Sequence, residues 1–362
     1  MRVGIDGRYA EGKLVGIGKY IKYLSSELAA LGVECVIFYS KSPEIVIQNK
    51  KIKQVVLKGI NRYVFEQFLL PEALKKEKVD LFHAAGNVGV SFFSPVPAVL
   101  TVHDLIPLEI KNYFSYAKLP FLSKWSYISR LQTSCIKVKR IISVSKYTKR
   151  SLVKKFGIPE EKISVIYSGI TGEKREGKLP AGLIKKKYIL NNGGIDIRKN
   201  IDRLITAFAE VYAKHPDFRL VITGENRSQK PKLQELVNRK NLSGAVIFPG
   251  YVDEKTLWTL IRSAACICYP TLMEGFGFPV LEGFAAGTPV ISSDVTSIPE
   301  IAADAAILVN PRSETQIASA IEKVITNSKL SAKMVRRGRI EARKYDWTRT
   351  ARETLEIYKQ VL

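Results

Sequence analysis

Short apolar runs alternate with helical patterns along most of the chain. Val3–Asp6, Glu34–Tyr39, Val55–Leu57, Val79–His83, Ala98–His103, Ile141–Ser145 and Ser164–Tyr167 have the length and composition of buried strands. Lys19–Leu31 carries Ile21, Leu24 and Leu28 at helical spacing, and a further helix follows Ser145 as far as Phe156. A second alternating set comprises Tyr188–Leu190, Arg219–Thr223, Ala245–Phe248, Ala264–Tyr269, Pro289–Ser292 and Ala306–Val309. Helices between them include Asp202–Lys214 and Glu314–Thr326, and a last helix follows Trp347. Strands alternating with helices imply parallel sheets covered on both faces. The pattern predicts an α/β chain of two Rossmann-like, doubly wound parallel-sheet domains.

Composition shifts between the two sets. Ser168–Lys187 has glycines, a proline and charges but few large apolar residues, which reads as a linker. The expected division is 1–170, a linker over 171–187, and 188–345, with a C-terminal helix over 346–362.

One stretch combines strand, turn and helix signals. Ala264–Tyr269 is followed by Thr271-Leu-Met-Glu-Gly-Phe-Gly-Phe-Pro-Val-Leu-Glu282. Gly275 and Gly277 bar regular helix and permit positive φ. Pro279 suits the first turn of a new helix, where its missing N–H costs nothing, and Gly287 suits the end. A glycine turn opening a helix directs backbone N–H groups and the positive helix end at one point, a setting for phosphate. Glu274 and Glu282 flank that point and can accept hydrogen bonds from sugar or ribose hydroxyls.

The string around these two glutamates, with seven residues between them, resembles the E-x7-E motif of retaining glycosyltransferases of family 4, enzymes with the two-domain GT-B fold. The resemblance implies transfer of a sugar from a nucleotide-sugar donor, GDP-mannose or a UDP-sugar, to an acceptor hydroxyl. It assigns Glu274 to the transferred sugar, Glu282 to the ribose, and Gly275, Phe276, Gly277 and Phe278 to substrate binding. Asn192-Gly-Gly-Ile-Asp-Ile-Arg198-Lys199 resembles the family's basic segment, in which an arginine and a lysine neutralise the leaving diphosphate. Many members carry the arginine just after the first glycine; here Gly193 and Gly194 stand there, so Lys199 matches more closely than Arg198. Thr101-Val-His-Asp-Leu-Ile-Pro107 resembles the segment whose histidine contacts the donor sugar, which points to His103, with His83 a weaker copy. Gly16-Ile-Gly18 resembles the loop near the donor phosphates and acceptor. The stretches Thr223–Glu225 and Pro249–Val252, with Tyr251, correspond to regions lining the base, and Glu300 is a weaker site. No cofactor is implied, and the cations stand where a metal would act.

Bulk composition narrows the partners. The net charge of +23 over 362 residues implies an anionic partner. Between Lys111 and Arg140, Tyr113, Phe114, Tyr116, Phe121, Leu122, Trp125 and Tyr127 interleave with Lys118, Lys124, Arg130, Lys137 and Lys139, and Lys146–Lys155 adds more cations. Aromatic and basic residues together suit an anionic membrane surface, and equally single-stranded nucleic acid or a packed helix pair with a solvated basic face. Such a surface favours a lipid-linked or cell-surface glycan precursor as acceptor. A nucleic-acid-binding protein and a nucleotide-sugar epimerase of the same fold are the alternatives; no usual nucleic-acid motif is present. A glycosidase pair of Glu274 and Glu282 would leave the basic segment without a role. Cys35, Cys135, Cys266 and Cys268 are scattered and read as reduced thiols in or near the core. The first residues look like a strand rather than a hydrophobic leader, and no run is long enough to span a bilayer, so the expected place is the cytoplasm, at most peripheral to the inner membrane face.

Overall fold

The computed structural model describes residues 1–362 except 60, 111–112, 117–118, 174 and 225–228, with only the backbone given for 115–116. Two compact units emerge. One comprises Met1–Gly169 with Tyr345–Leu362, the other Ile170–Lys344.

The first unit is built on β1 (Arg2–Asp6), β2 (Glu34–Tyr39), β3 (Ile52–Val56), β4 (Leu81–Ala84), β5 (Ala98–Val102), β6 (Arg140–Ser143) and β7 (Ile163–Val165). They pair in the order β3-β2-β1-β4-β5-β6-β7, every pairing parallel. β1, β4 and β5 are buried almost throughout, as strands covered by helices on both faces must be. Strand order reverses between β1 and β4, so the crevice at their carboxyl ends is the place where this topology admits a ligand.

The second unit holds β8 (Tyr188–Asn191), β9 (Arg219–Thr223), β10 (Val246–Gly250), β11 (Cys266–Tyr269), β12 (Val290–Ser293) and β13 (Ile307–Val309). Their order is β10-β9-β8-β11-β12-β13, again all parallel, with the reversal between β8 and β11. Cys266 and Cys268 face the same core side, and all four cysteines are buried free thiols. The two sheets realise the expected α/β, doubly wound class.

Helix ends follow local chemistry. Ser313 caps the helix Glu314–Thr326 by accepting from Gln316 N–H, and Asp346 does the same for Trp347–Val361 through Arg349 N–H. Gly287 ends the helix Phe278–Ala286 in the left-handed conformation at φ 72°.

The structure departs from the pattern at several places. The third strand is Ile52–Val56 rather than Val55–Leu57, and β4 starts at Leu81, two residues late. A helical stretch from Arg62 to Lys76, with a π turn at Phe65–Leu69, has no clear signal because Pro71 interrupts its pattern. Ser328–Ala342 is helical although mostly polar; it buries only Met334, Gly338, Glu341 and Ala342. The stretch read as a linker belongs to the second unit: Gly177 N–H donates to Thr259 Oγ1 at 2.8 Å and Arg262 donates to Glu173 O at 2.7 Å.

The C-terminal helix closes the first unit. Tyr358 hydroxyl lies 2.6 Å from His83 Nδ1, and His83 Nε2 lies 2.7 Å from Thr101 Oγ1. His83 is fully buried with both ring nitrogens engaged. It is therefore a structural clamp and not a second copy of a ligand-contacting histidine. Among the described residues no helix is long and apolar enough to cross a membrane.

Candidate active site

At the β8–β11 reversal, two loops bring charge together. After β8, Asn192 to Gly194 lead into a short turn, Ile197–Lys199, whose first N–H groups are held by Asp196. After β11, Pro270 to Gly277 lead into the helix Phe278–Ala286. Arg198 Nη1 lies 2.5 Å and Lys199 Nζ 2.7 Å from Glu274 Oε1. Thr271 hydroxyl bonds the same oxygen at 3.1 Å, and Tyr269 hydroxyl donates to it as well. Lys199 also donates to Tyr269 and sits over its ring, 4.9 Å from the centroid. Arg198, Lys199 and Glu274, taken from two separate sequence segments, thus form one cluster.

The protonation states follow from burial and partners. Burial pushes the Glu274 carboxyl up, but the charges of Arg198 and Lys199 and the donated hydrogen bonds outweigh it and hold it at about 2. Burial draws the Lys199 ammonium down to about 8 against the pull of Glu274. Burial and the neighbouring carboxylate push the Tyr269 hydroxyl well above its ordinary value, so it stays a donor. Near neutral pH the cluster holds two cations against one buried carboxylate. Asp196, 3.7 Å from Arg198 Nε and more than half exposed, offsets part of that surplus.

The surrounding backbone is fitted to this cluster. Ser297 hydroxyl donates to Glu274 O and Phe276 O, and Glu274 N–H donates to Thr296 Oγ1. Thr296 adopts φ 60°, a costly state for a β-branched residue, and the loop it pins lies at the site. Gly277 takes φ 125° and opens the helix with no side-chain cap, while Val280 N–H donates back to Gly277 O at 3.0 Å. Phe276 and Phe278 pack edge to face, 5.1 Å between centroids. Gly194, at φ 81°, has open space where a side chain would project. Glu282 is buried in the first turns of that helix, and Asn192 donates to its Oε2 at 2.6 Å.

Other expected residues fall elsewhere. Tyr251 follows β10, separated from β8 by β9. Glu225 lies outside the described residues, as do Lys111 and Lys118. In the first unit, His103 follows β5; its Nε2 donates to Ala85 O at 2.8 Å and Tyr20 meets its ring edge-on at 4.8 Å. Burial lowers His103 to about 4, so the ring is neutral, with Nδ1 its acceptor nitrogen. Gly16 opens the helix Ile17–Ala30 at φ 48° with free space before it, whereas a Cβ at Gly18 would meet Tyr9 O at 2.8 Å.

Tyr269, Thr271, Asn192 and Ser297 were not legible as site residues. Their shared signal was position alone: each follows or ends a strand at the carboxyl edge of the sheet.

Sequence profiles match both halves: one described as Glycosyltransferase Family 4 over residues 15–174, and one as Glycosyl transferases group 1 over residues 178–341. The chain belongs to the family-4 glycosyltransferases. Over 303 residues, 79% of this chain and 76% of the other, it is 26% identical to the O-antigen chain mannosyltransferase B of Escherichia coli. Sucrose-phosphate synthase from Thermosynechococcus elongatus shares its fold with a TM-score of 0.80 at 19% identity, covering 99% of this chain and 98% of that one. Anabaena Alr3699/HepE in complex with UDP-glucose does so with a TM-score of 0.79 at 15% identity, covering 99% and 100%. This glycosyltransferase therefore has the GT-B fold.

Proposed function

We propose that this glycosyltransferase is a retaining enzyme that takes its sugar from GDP-mannose or a UDP-sugar and uses no metal ion. The observation that carries the reading is the pair of cations on buried Glu274 at the β8–β11 reversal, Lys199 buried and Arg198 partly so, beside a helix N-terminus with no side-chain cap. Such a site is built for charge that appears on a departing diphosphate, with fixed donors that need no reorganisation. The anomeric carbon loses its bond to the diphosphate and gains one to the acceptor oxygen on the same face. The acceptor proton leaves with the diphosphate. Arg198, Lys199 and the helix amides receive the growing negative charge. Glu274 orients the sugar and Glu282 the ribose. The mannosyltransferase relative supports GDP-mannose, and the UDP-glucose complex of the structural neighbour supports a UDP-sugar.

The acceptor is proposed to be a lipid-linked glycan precursor reached from an anionic membrane surface. Support comes from the helix Pro120–Lys137 and its N-cap Leu119, where Leu119, Phe121, Leu122 and Trp125 are each more than half exposed beside Lys124.

The donor is tested by thermal shift with GDP, UDP, GDP-mannose and UDP-glucose. A bound nucleotide at 100 times its Kd stabilises by about 2.7 kcal/mol. Lys199→Ala is expected to remove the shift; a full shift in that variant would overturn the assignment.

A further inference from the structure

The first unit has a charged cluster of its own, at the reversal between β1 and β4. β1 ends at the fully buried Asp6, and Arg8 follows in a short turn. Asp6 grips Arg8 through two bonds, Nε to Oδ1 at 2.9 Å and Nη2 to Oδ2 at 2.6 Å. Buried Glu66 lies 2.8 Å from Arg8 Nη1 and also binds Arg130. The Arg8 Nη1 contact with Glu66 is an ion pair without an aligned hydrogen bond. The guanidinium rests on the Phe65 ring, 4.5 Å from its centroid.

The backbone makes room for this arrangement. A Cβ at Gly89 would stand 2.9 Å from both Arg8 Nη2 and Asp6 Oδ2, and one at Gly86 would stand 2.3 Å from the Tyr9 ring. Arg8, Tyr9, Arg62 and Arg130 then line a cavity of about 40 Å³. One water needs about 10–15 Å³ of such space, so the cavity has room for the few oxygens of a small group.

Three guanidiniums against two carboxylates leave positive charge at the cavity. Arg8 and Arg130 are held in fixed orientations by those carboxylates, while Arg62 is exposed at the rim. Planar forks of donors in fixed positions suit a tetrahedral oxyanion. Tyr63 and Phe68, on the Arg62 segment, are exposed and meet edge to face at 6.2 Å, an apolar surface for the remainder of such a ligand.

We propose that Arg8, Tyr9, Arg62 and Arg130 form a subsite for a phosphate group, the anionic handle of the acceptor. The proposal relies on the glycosyltransferase reading only in naming the ligand an acceptor. Its test is binding to the full chain without any nucleotide sugar, so its failure leaves the donor assignment intact.

Isothermal titration with farnesyl phosphate, farnesol and inorganic phosphate reads the site directly. Farnesyl phosphate is expected to bind and farnesol not to bind. Arg62→Glu, at the exposed rim, is expected to weaken farnesyl phosphate at least tenfold, and Arg62→Lys by less, since the point charge remains. The nucleotide thermal shift should be the same in both variants as in the parent, which shows that they fold. Farnesyl phosphate binding more tightly than inorganic phosphate assigns the handle to an amphiphile. Equal affinity assigns it to a free phosphorylated acceptor. Farnesol binding as tightly as its phosphate, no phosphate binding in the parent, or undiminished binding by Arg62→Glu overturns the proposal.

Discussion

Gly193 lies against the ring of Tyr269 so closely that a Cβ at position 193 would sit 2.1 Å from Tyr269 Cε2. Tyr269 in turn bonds both Lys199 and Glu274. The absence of one methyl group thereby fixes where the tyrosine hydroxyl stands. Gly193→Ala is expected to cost about 1–3 kcal/mol through overpacking. It should also lower turnover by displacing Tyr269 from the cations. Urea unfolding and initial rates check this; unchanged kinetics would show that the ring position does not matter.

The same cluster predicts strong coupling between its charges. Glu274→Gln removes the carboxylate that Arg198 and Lys199 share, leaving Lys199 buried without a counter-charge. A loss on the order of 3 kcal/mol is expected, as for other broken buried pairs. Adding Lys199→Met should restore part of it. A double-mutant cycle that comes out additive would argue against the coupling.

Lys199 gives opposite pH trends for activity and stability. The folded enzyme holds this proton to about 8, while an unfolded lysine holds it to 10.5. Turnover should therefore fall as pH rises past about 8, when the ammonium is lost. Between 8 and 10.5 the unfolded chain binds the extra proton, so this group's contribution makes folding more favourable as pH rises. A rate profile and urea midpoints across this window measure both; a rate that is flat up to pH 10 would exclude Lys199 as the working cation.

The His83 clamp predicts acid sensitivity. Burial holds His83 down at about 3 from an ordinary 6.5, so it is neutral when folded. The unfolded ring takes up a proton below about 6.5 and the folded one does not. Stability from this residue is therefore complete above 6.5 and drains away as pH falls toward 3. Tyr358→Phe should cost about 1–3 kcal/mol by orphaning His83 Nδ1. His83→Asn should flatten the fall in urea midpoint between pH 6.5 and 4.

The exposed apolar residues of the helix Pro120–Lys137 predict vesicle binding. Recovery with floated vesicles should rise with anionic lipid content and drop sharply in a Phe121→Ser/Trp125→Ser variant. Equal flotation by both proteins, or no dependence on lipid charge, would remove this surface from the proposal. The structure sorts the aromatic-basic stretch that the sequence could only interleave. Tyr127 packs on the core and Phe114 leans on it, while Phe121, Leu122 and Trp125 face outward.

Much of the fold was legible because buried parallel strands and amphipathic helices write their periods directly into residue order. Caps such as Gly287 and the strand Glu34–Tyr39 lie where local chemistry alone puts them. The string from Thr271 to Glu282 determined the family, since its glycines, proline and glutamates act through their immediate neighbours. Only the tertiary structure decided what those residues do to one another. Arg198 and Glu274 are 76 residues apart, and His83 and Tyr358 are 275 apart. Their pairing depends on which strands lie side by side, and strand order is set by the packing of the whole sheet. The same reason hid Tyr269 and Asn192, whose roles come from partners that no local pattern could name.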